Sequence, residues 1–265
     1  MTPRSQTIAS VLDNWWDQYC HRDIVLPTLA LLFIEGLFNL GLVNLAVLGY
    51  LVAIVVLVGA SYVVTQYQSV FIVLALLPLF RLINLGMPAF TTSMLYWLPL
   101  AYSAFLPGVY ILYRPRRRDS DQIGRTQMLL YSVAAVVLGA VLAGIELTVT
   151  TVEVLLQNPT IIEGVLISFV MFMFISVVEE LLFRGVIQQE LQSRIGRVGG
   201  ISITAALFGM MHATTLSGPT VLFGIGLGIV IGYVYDRTAS LPIACLLHGS
   251  LNVFLYGIFP MFNIM

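Results

Sequence analysis

Apolar residues run through this chain in long blocks, and polar positions mark where the blocks end. A helix that crosses a bilayer needs about 20 apolar residues. Blocks of that kind fall at 24–41, 44–64, 70–86, 94–113, 127–148, 161–190, 199–217, 220–235 and 241–259. The first two share one run from Ile24 to Val64, broken around Asn39–Asn44, so the count is eight or nine. The predicted fold is all-α, a polytopic transmembrane helical bundle. Residues 8–19 follow another pattern: Ile8, Val11, Leu12, Trp15, Trp16 and Tyr19 recur at helical spacing, opposite Asp13, Asn14, Asp17 and Gln18. That pattern predicts an amphipathic helix lying in the membrane interface. The expected organisation is an interfacial segment at 1–23, N-terminal spans of unassigned role at 24–125, and a core holding the candidate chemistry at 126–265. No internal repeat and no soluble domain is visible.

Composition supports the membrane reading. The chain is 59% hydrophobic and 9% charged, against about 25% charged in soluble domains. A net charge of −1 gives no basis for nucleic-acid binding. Cys20 and Cys245 lack metal-ligand spacing, so neither a disulfide nor a zinc finger is expected. No cleavable signal peptide is expected either, since Asp13, Asp17, Arg22 and Asp23 precede too long an apolar stretch. Basic residues sit on the cytoplasmic side of membrane proteins. The cluster Arg114, Arg116, Arg117, Arg118 and Arg125 therefore predicts a cytoplasmic loop, with anionic-lipid binding as a second role. Arg4, Arg22, Arg194, Arg197 and Arg237 fall on the same side in a nine-span count, with the N-terminus inside. Arg81 does not fit this scheme, because it lies within the third span.

Candidate chemistry appears as three spaced sets in the last apolar blocks. Glu179, Glu180 and Arg184 read E-E-L-L-F-R, Phe208 and His212 read F-G-M-M-H, and His248 and Asn252 read H-G-S-L-N. Ionisable groups inside spans are costly and mark function by default. Glu180 and Arg184, four apart, share a helix face and can pair, which lowers the cost of both charges in a dry place. Glu179 points about 100° away and has no counter-ion on its own helix. A desolvated carboxylate is a better base, so Glu179 is assigned the chemistry and Glu180–Arg184 its support. His248 and Asn252 also share a face, where an imidazole N–H and an amide can hold an oxyanion. Phe208 is expected to pack beside His212. At 1.5 Å per residue, Glu179 and His212 lie about 20 Å from the inner boundary, and His248 and Asn252 about 10 and 17 Å. Gly224, Gly226, Gly228 and Gly232 predict a helix-packing face. Glu35, Glu146, Glu153 and Glu163 are expected at helix ends or outside the membrane.

Each set alone has a plainer reading. An E-x-x-x-R pair is usually a structural ion pair, a single intramembrane histidine usually packs, and Asn252 could join helices. Together and in this order, the motifs E-E-x-x-x-R, F-x-x-x-H and H-x-x-x-N resemble those of the CAAX prenyl endopeptidases of the Ras-converting type. These belong to the wider CPBP group (CAAX proteases and bacteriocin-processing proteins, also called Abi). The resemblance covers roughly residues 160–257 and matches every motif position. It implies an intramembrane endopeptidase in which Glu179 and His212 activate a water while His248 and Asn252 stabilise the tetrahedral oxyanion. The implied substrate is a membrane-embedded or lipidated peptide or protein, and the implied location is a prokaryotic cell membrane with the site opening towards the cytoplasm. Glu179, His212 and His248 could also bind Zn²⁺. Yet H-E-x-x-H is absent, and a liganding Glu179 leaves no separate base, so a mechanism without a cofactor is favoured. The competing readings are a non-catalytic immunity factor or scaffold of the same fold, and a proton-coupled carrier. Against the carrier, the sequence shows no inverted repeat.

Overall fold

The computed structural model describes residues 22–86, 94–113, 124–152, 155, 159–212, 217–262 and 264. Among them every regular element is helical. α1 (Arg22–Asn39), α2 (Val43–Val63), α3 (Gln68–Gly86), α4 (Met94–Leu112) and α5 (Arg125–Val149) match the first five apolar blocks. A longer run follows: α6 (Ile161–Val170), a π-helical segment at Met171–Ser176, α7 (Val177–Glu180), a second π segment at Leu181–Gln188, and α8 (Gln189–His212). Gly196 breaks α8 with φ 77°, a left-handed conformation that glycine adopts without steric cost. Residues 197–212 form the second arm beyond this break. α9 (Gly218–Thr238), α10 (Leu241–Asn252), a π segment at Val253–Ile258 and α11 (Phe259–Met261) complete the described chain.

Among the described residues, seven helices are long and apolar enough to cross a membrane. The bent run Ile161–His212 counts once among them, and α1, with Arg22, Asp23 and Glu35, is not included. All nine predicted blocks nonetheless coincide with helix. The outward faces are apolar: Val63 is 82% exposed, Ile111 80% and Leu222 71%. Surfaces of this kind are stable against lipid, and a bundle that satisfies its backbone within helices can stand there. The predicted helix at 8–19, together with Arg4, Arg114, Arg116, Arg117, Arg118 and Glu153, lies outside the described residues.

Alternating helices bring Arg22, Arg125, Arg194, Arg197 and Arg237 to one end of the bundle. Two contacts tie that end together. Arg194 Nη1 donates to the Gln66 carbonyl at 2.8 Å, joining the α2–α3 turn to α8. Arg197 pairs with Asp236 at 2.5 Å, joining α8 to the end of α9. Packing between α8 and α9 is close because glycines allow it. A β-carbon at Gly224 would come within 2.9 Å of Gly209 Cα, and one at Gly228 within 2.9 Å of Ala205 Cα. Gly232 lies against Gln188, whereas Gly226 faces open space. The packing face is thus Gly224, Gly228 and Gly232, four residues apart, without Gly226.

Of the described acidic residues expected at helix ends or outside the membrane, one departs from expectation. Glu35 is buried on α1, not at a helix end, and takes both Nε and Nη2 of Arg81 at 3.2 and 2.6 Å. This pair explains how α3 carries Arg81 inside a span: two opposite charges with matched geometry lower each other's cost. Glu146 does sit in the last turn of α5, but its Oε2 is buried without a hydrogen-bond partner. Glu163 lies where expected, exposed at the start of α6, where it forms a capping box with Thr160.

Candidate active site

The α7 turn that carries Glu179 and Glu180 is bounded on both sides by π-helical segments. Ser176 marks the first of them by donating its Oγ to the carbonyl of Met171, five residues back, at 2.9 Å. Such wider turns occur often at functional sites. Three separate stretches then converge on this turn. The end of α8 brings Phe208 and His212, α10 brings His248 and Asn252, and α4 brings Tyr102.

Glu179 lies at the meeting point. Its Oε1 accepts the Tyr102 hydroxyl at 2.6 Å. Its Oε2 lies 3.2 Å from His212 Nε2 and 3.9 Å from His248 Nε2. That oxygen has no hydrogen-bond partner in proper geometry. The ring tautomers follow from the opposite nitrogens. His212 Nδ1 lies 2.8 Å from the Phe208 carbonyl, and His248 Nδ1 lies 2.7 Å from Glu180 Oε1. Carbonyl and carboxylate oxygens only accept, so both Nδ1 atoms carry protons. In the neutral rings both Nε2 lone pairs therefore face Glu179 Oε2. Three acceptors within 4.8 Å of one another require a proton, a water or a cation among them.

Glu180 and Arg184 pair as expected, at 3.0 Å and wholly buried. Arg184 Nη2 also donates to the Gly228 carbonyl at 3.2 Å, tying the site to the glycine face of α9. Glu180 does more than support the turn, because the same oxygen that takes Arg184 orients His248. Phe208 stacks on His212 at 3.9 Å between ring centroids, as expected, and also lies 4.4 Å from the Arg184 guanidinium. That distance is within cation–π range. Asn252 donates one Nδ2 hydrogen to Ser176 Oγ at 3.0 Å, which leaves its second for another acceptor. Glu179 was expected to lack a counter-ion on its own helix. Its partners come from other elements, and Tyr102 among them has no local sequence signal.

Fold and site together define a polytopic helical membrane protein with a Glu–His–His centre in which Glu179 and His248 are buried and His212 is half-buried. Residues 161–254 match the family model described as type II CAAX prenyl endopeptidase Rce1-like. The match holds all seven motif residues and agrees with the resemblance read from their spacing. The comparisons with curated proteins and with solved structures each found no match.

Proposed function

We propose that the protein is an intramembrane endopeptidase that hydrolyses a peptide bond in a membrane-embedded or lipidated substrate. The observation that carries this is the convergence of Glu179, His212 and His248, from three helical stretches, around one carboxylate oxygen. A water held there gives a proton to the Glu179–His212 pair as its oxygen attacks the scissile carbonyl carbon. The proton then passes to the leaving amine as the C–N bond breaks. Asn252 offers its free amide hydrogen to the oxyanion. His248, held at Nδ1 by Glu180 Oε1, would offer Nε2–H to the same oxyanion in its doubly protonated form. A dry, apolar surround strengthens each of these interactions.

A second reading rests on the three lone pairs that meet at Oε2. One carboxylate oxygen and two imidazole nitrogens form a His₂Glu donor set. Both histidines donate their other N–H to an oxygen, as ligand histidines do. Glu179, His212 and His248 would hold a zinc ion, which when bound activates a water. Loss of cleavage on treatment with a chelator, restored by zinc, selects this reading. Cleavage that withstands metal removal selects the first.

The five described arginines at one end of the bundle support a cytoplasmic placement of that end, with the N-terminus inside. His212 is 31% exposed and ends the arm of α8 that leads away from Arg197. Access from that end, or sideways between helices, fits this exposure better than the expected opening on the arginine face.

The test is quantitative mapping of new N- and C-termini in membranes of cells expressing wild type or Glu179→Gln at equal abundance. Termini that depend on Glu179 establish the activity and name substrates. Identical termini in the two cultures would remove the proposal and favour a non-catalytic role for the same fold.

A further inference from the structure

His212 is the last residue of α8. Carbonyls in the last turn of a helix lack partners within it and can accept from other elements. Here two side chains donate to that turn, and both come from helices outside the matched residues 161–254. Asn39 Nδ2, at the end of α1, donates to the Met210 carbonyl at 3.2 Å. Arg81 Nη2, on α3, donates to the Met211 carbonyl at 2.9 Å. A cation at this position also complements the negative end of the helix dipole.

The two donors are themselves fixed. Glu35 holds the Arg81 fork on one side, and the Phe38 ring lies 4.8 Å from its guanidinium. Around them, Ile34, Ala46 and Tyr50 form a small core separate from the main one, lined by Leu37, Leu82 and Leu85. This cluster touches none of the reacting groups. Its polar ends reach the backbone of the two residues before His212.

We propose that Asn39 and the Glu35–Arg81 pair are positioning residues that set the place of His212 against Glu179. The catalytic part of the inference rests on the hydrolase reading above; the geometric part does not. Without the two donors, the last turn of α8 loosens and the Nε2–Oε2 separation is no longer fixed. Misplacement of a catalytic group by about 1 Å costs about 100-fold in rate.

The experiment combines kinetics with a readout independent of turnover. The chain has three histidines, at positions 21, 212 and 248, so histidine-selective ¹⁵N labelling in detergent micelles gives a tractable spectrum. In the wild-type background, Glu179→Gln shifts the ring nitrogens of both His212 and His248. In Asn39→Leu, and in the charge-balanced pair Glu35→Ala with Arg81→Ala, the His212 response is lost while that of His248 persists. On a cleavable membrane peptide, kcat falls about 100-fold in both variants with KM unchanged. Arg81→Lys, which keeps a donor for Met211, recovers part of the loss. Asn39→Leu is close in size and leaves the ion pair intact, so it reports even if the double variant does not fold. An undiminished His212 response in the variants overturns the proposal, whatever the kinetics. A lost response in a protein that cleaves no peptide, wild type included, upholds the positioning and removes the hydrolase reading.

Discussion

The hydroxyl of Tyr102 lies 2.6 Å from Oε1 of Glu179, and both side chains are buried. The contact spans 77 residues of sequence and fixes one carboxylate oxygen. The other oxygen is thereby aimed at the two histidines. Tyr102 belongs to α4, so the part of the chain before residue 161 touches the candidate base directly.

Tyr102→Phe keeps the ring and removes this hydrogen bond. A bond to a charged group contributes about 1.5–3 kcal/mol, and each 1.36 kcal/mol is about tenfold in rate. If the whole bond acts in the transition state, kcat is expected to drop roughly 10- to 100-fold with little change in KM. Steady-state cleavage of a membrane peptide measures this. Wild-type kcat in the variant would leave Tyr102 a packing residue.

Glu180→Ala strands Arg184 as a buried charge and frees the His248 ring. Breaking one side of a buried pair costs about 3–5 kcal/mol, so a large fall in the detergent unfolding midpoint is expected. Arg184→Lys should recover little of the wild-type stability, because a point charge cannot reach both Glu180 and the Gly228 carbonyl as the fork does. A lysine variant as stable as wild type would contradict this.

The glycine face gives an internally controlled comparison. Gly228→Ala places its β-carbon 2.9 Å from Ala205 Cα, whereas the β-carbon of Gly226→Ala meets nothing within 4 Å. Overpacking costs typically about 1–3 kcal/mol and occasionally more. The first variant is expected to lose stability and the second to behave as wild type, as read by unfolding in a denaturant series. Equal behaviour of the two would mean that α8 and α9 do not cross at Gly228.

At the start of α6, Thr160 accepts the Glu163 amide N–H, and Glu163 accepts the Thr160 amide N–H in return. Thr160→Ala removes half of that exchange, for a cost of about 1 kcal/mol. Hydrogen exchange at the first turn of α6 should quicken while the amides near Glu179 keep their protection. Uniform loss of protection would show that this cap governs more than its own turn.

The parts of this molecule that were legible in the sequence depend on short-range periodicity. Residues four apart on a helix share a face, which is why Glu180–Arg184 and Phe208–His212 could be paired from spacing. Apolar blocks long enough to span a bilayer located the long helices among the described residues. The parts that were not legible arise from contacts across long separations. Tyr102 is one of twelve tyrosines and has no local mark that distinguishes it. Arg81 does not fit a reading from spacing alone because its partner Glu35 lies two helices earlier. The dual role of Glu180 depends on where α10 sets His248, and spacing on its own helix is silent about that. The π segments beside α7 also escaped, because a shift in backbone hydrogen bonding leaves the pattern of apolar residues almost unchanged.

From Ile161 to the bend at Gly196 the helical rod measures roughly 50 Å at 1.5 Å per residue, while the hydrocarbon core of a bilayer is about 30 Å thick. Such a rod must lean or stand proud of the lipid, and Glu179 rides near its midpoint. The depth of the candidate base is therefore not a property of the protein alone. Thinner and thicker membranes tilt a long helix to different degrees and would present the same carboxylate at different levels to anything arriving within the lipid. On the proposed hydrolase reading, bilayer thickness would select among substrates by setting how far along its own length a passing segment meets Glu179.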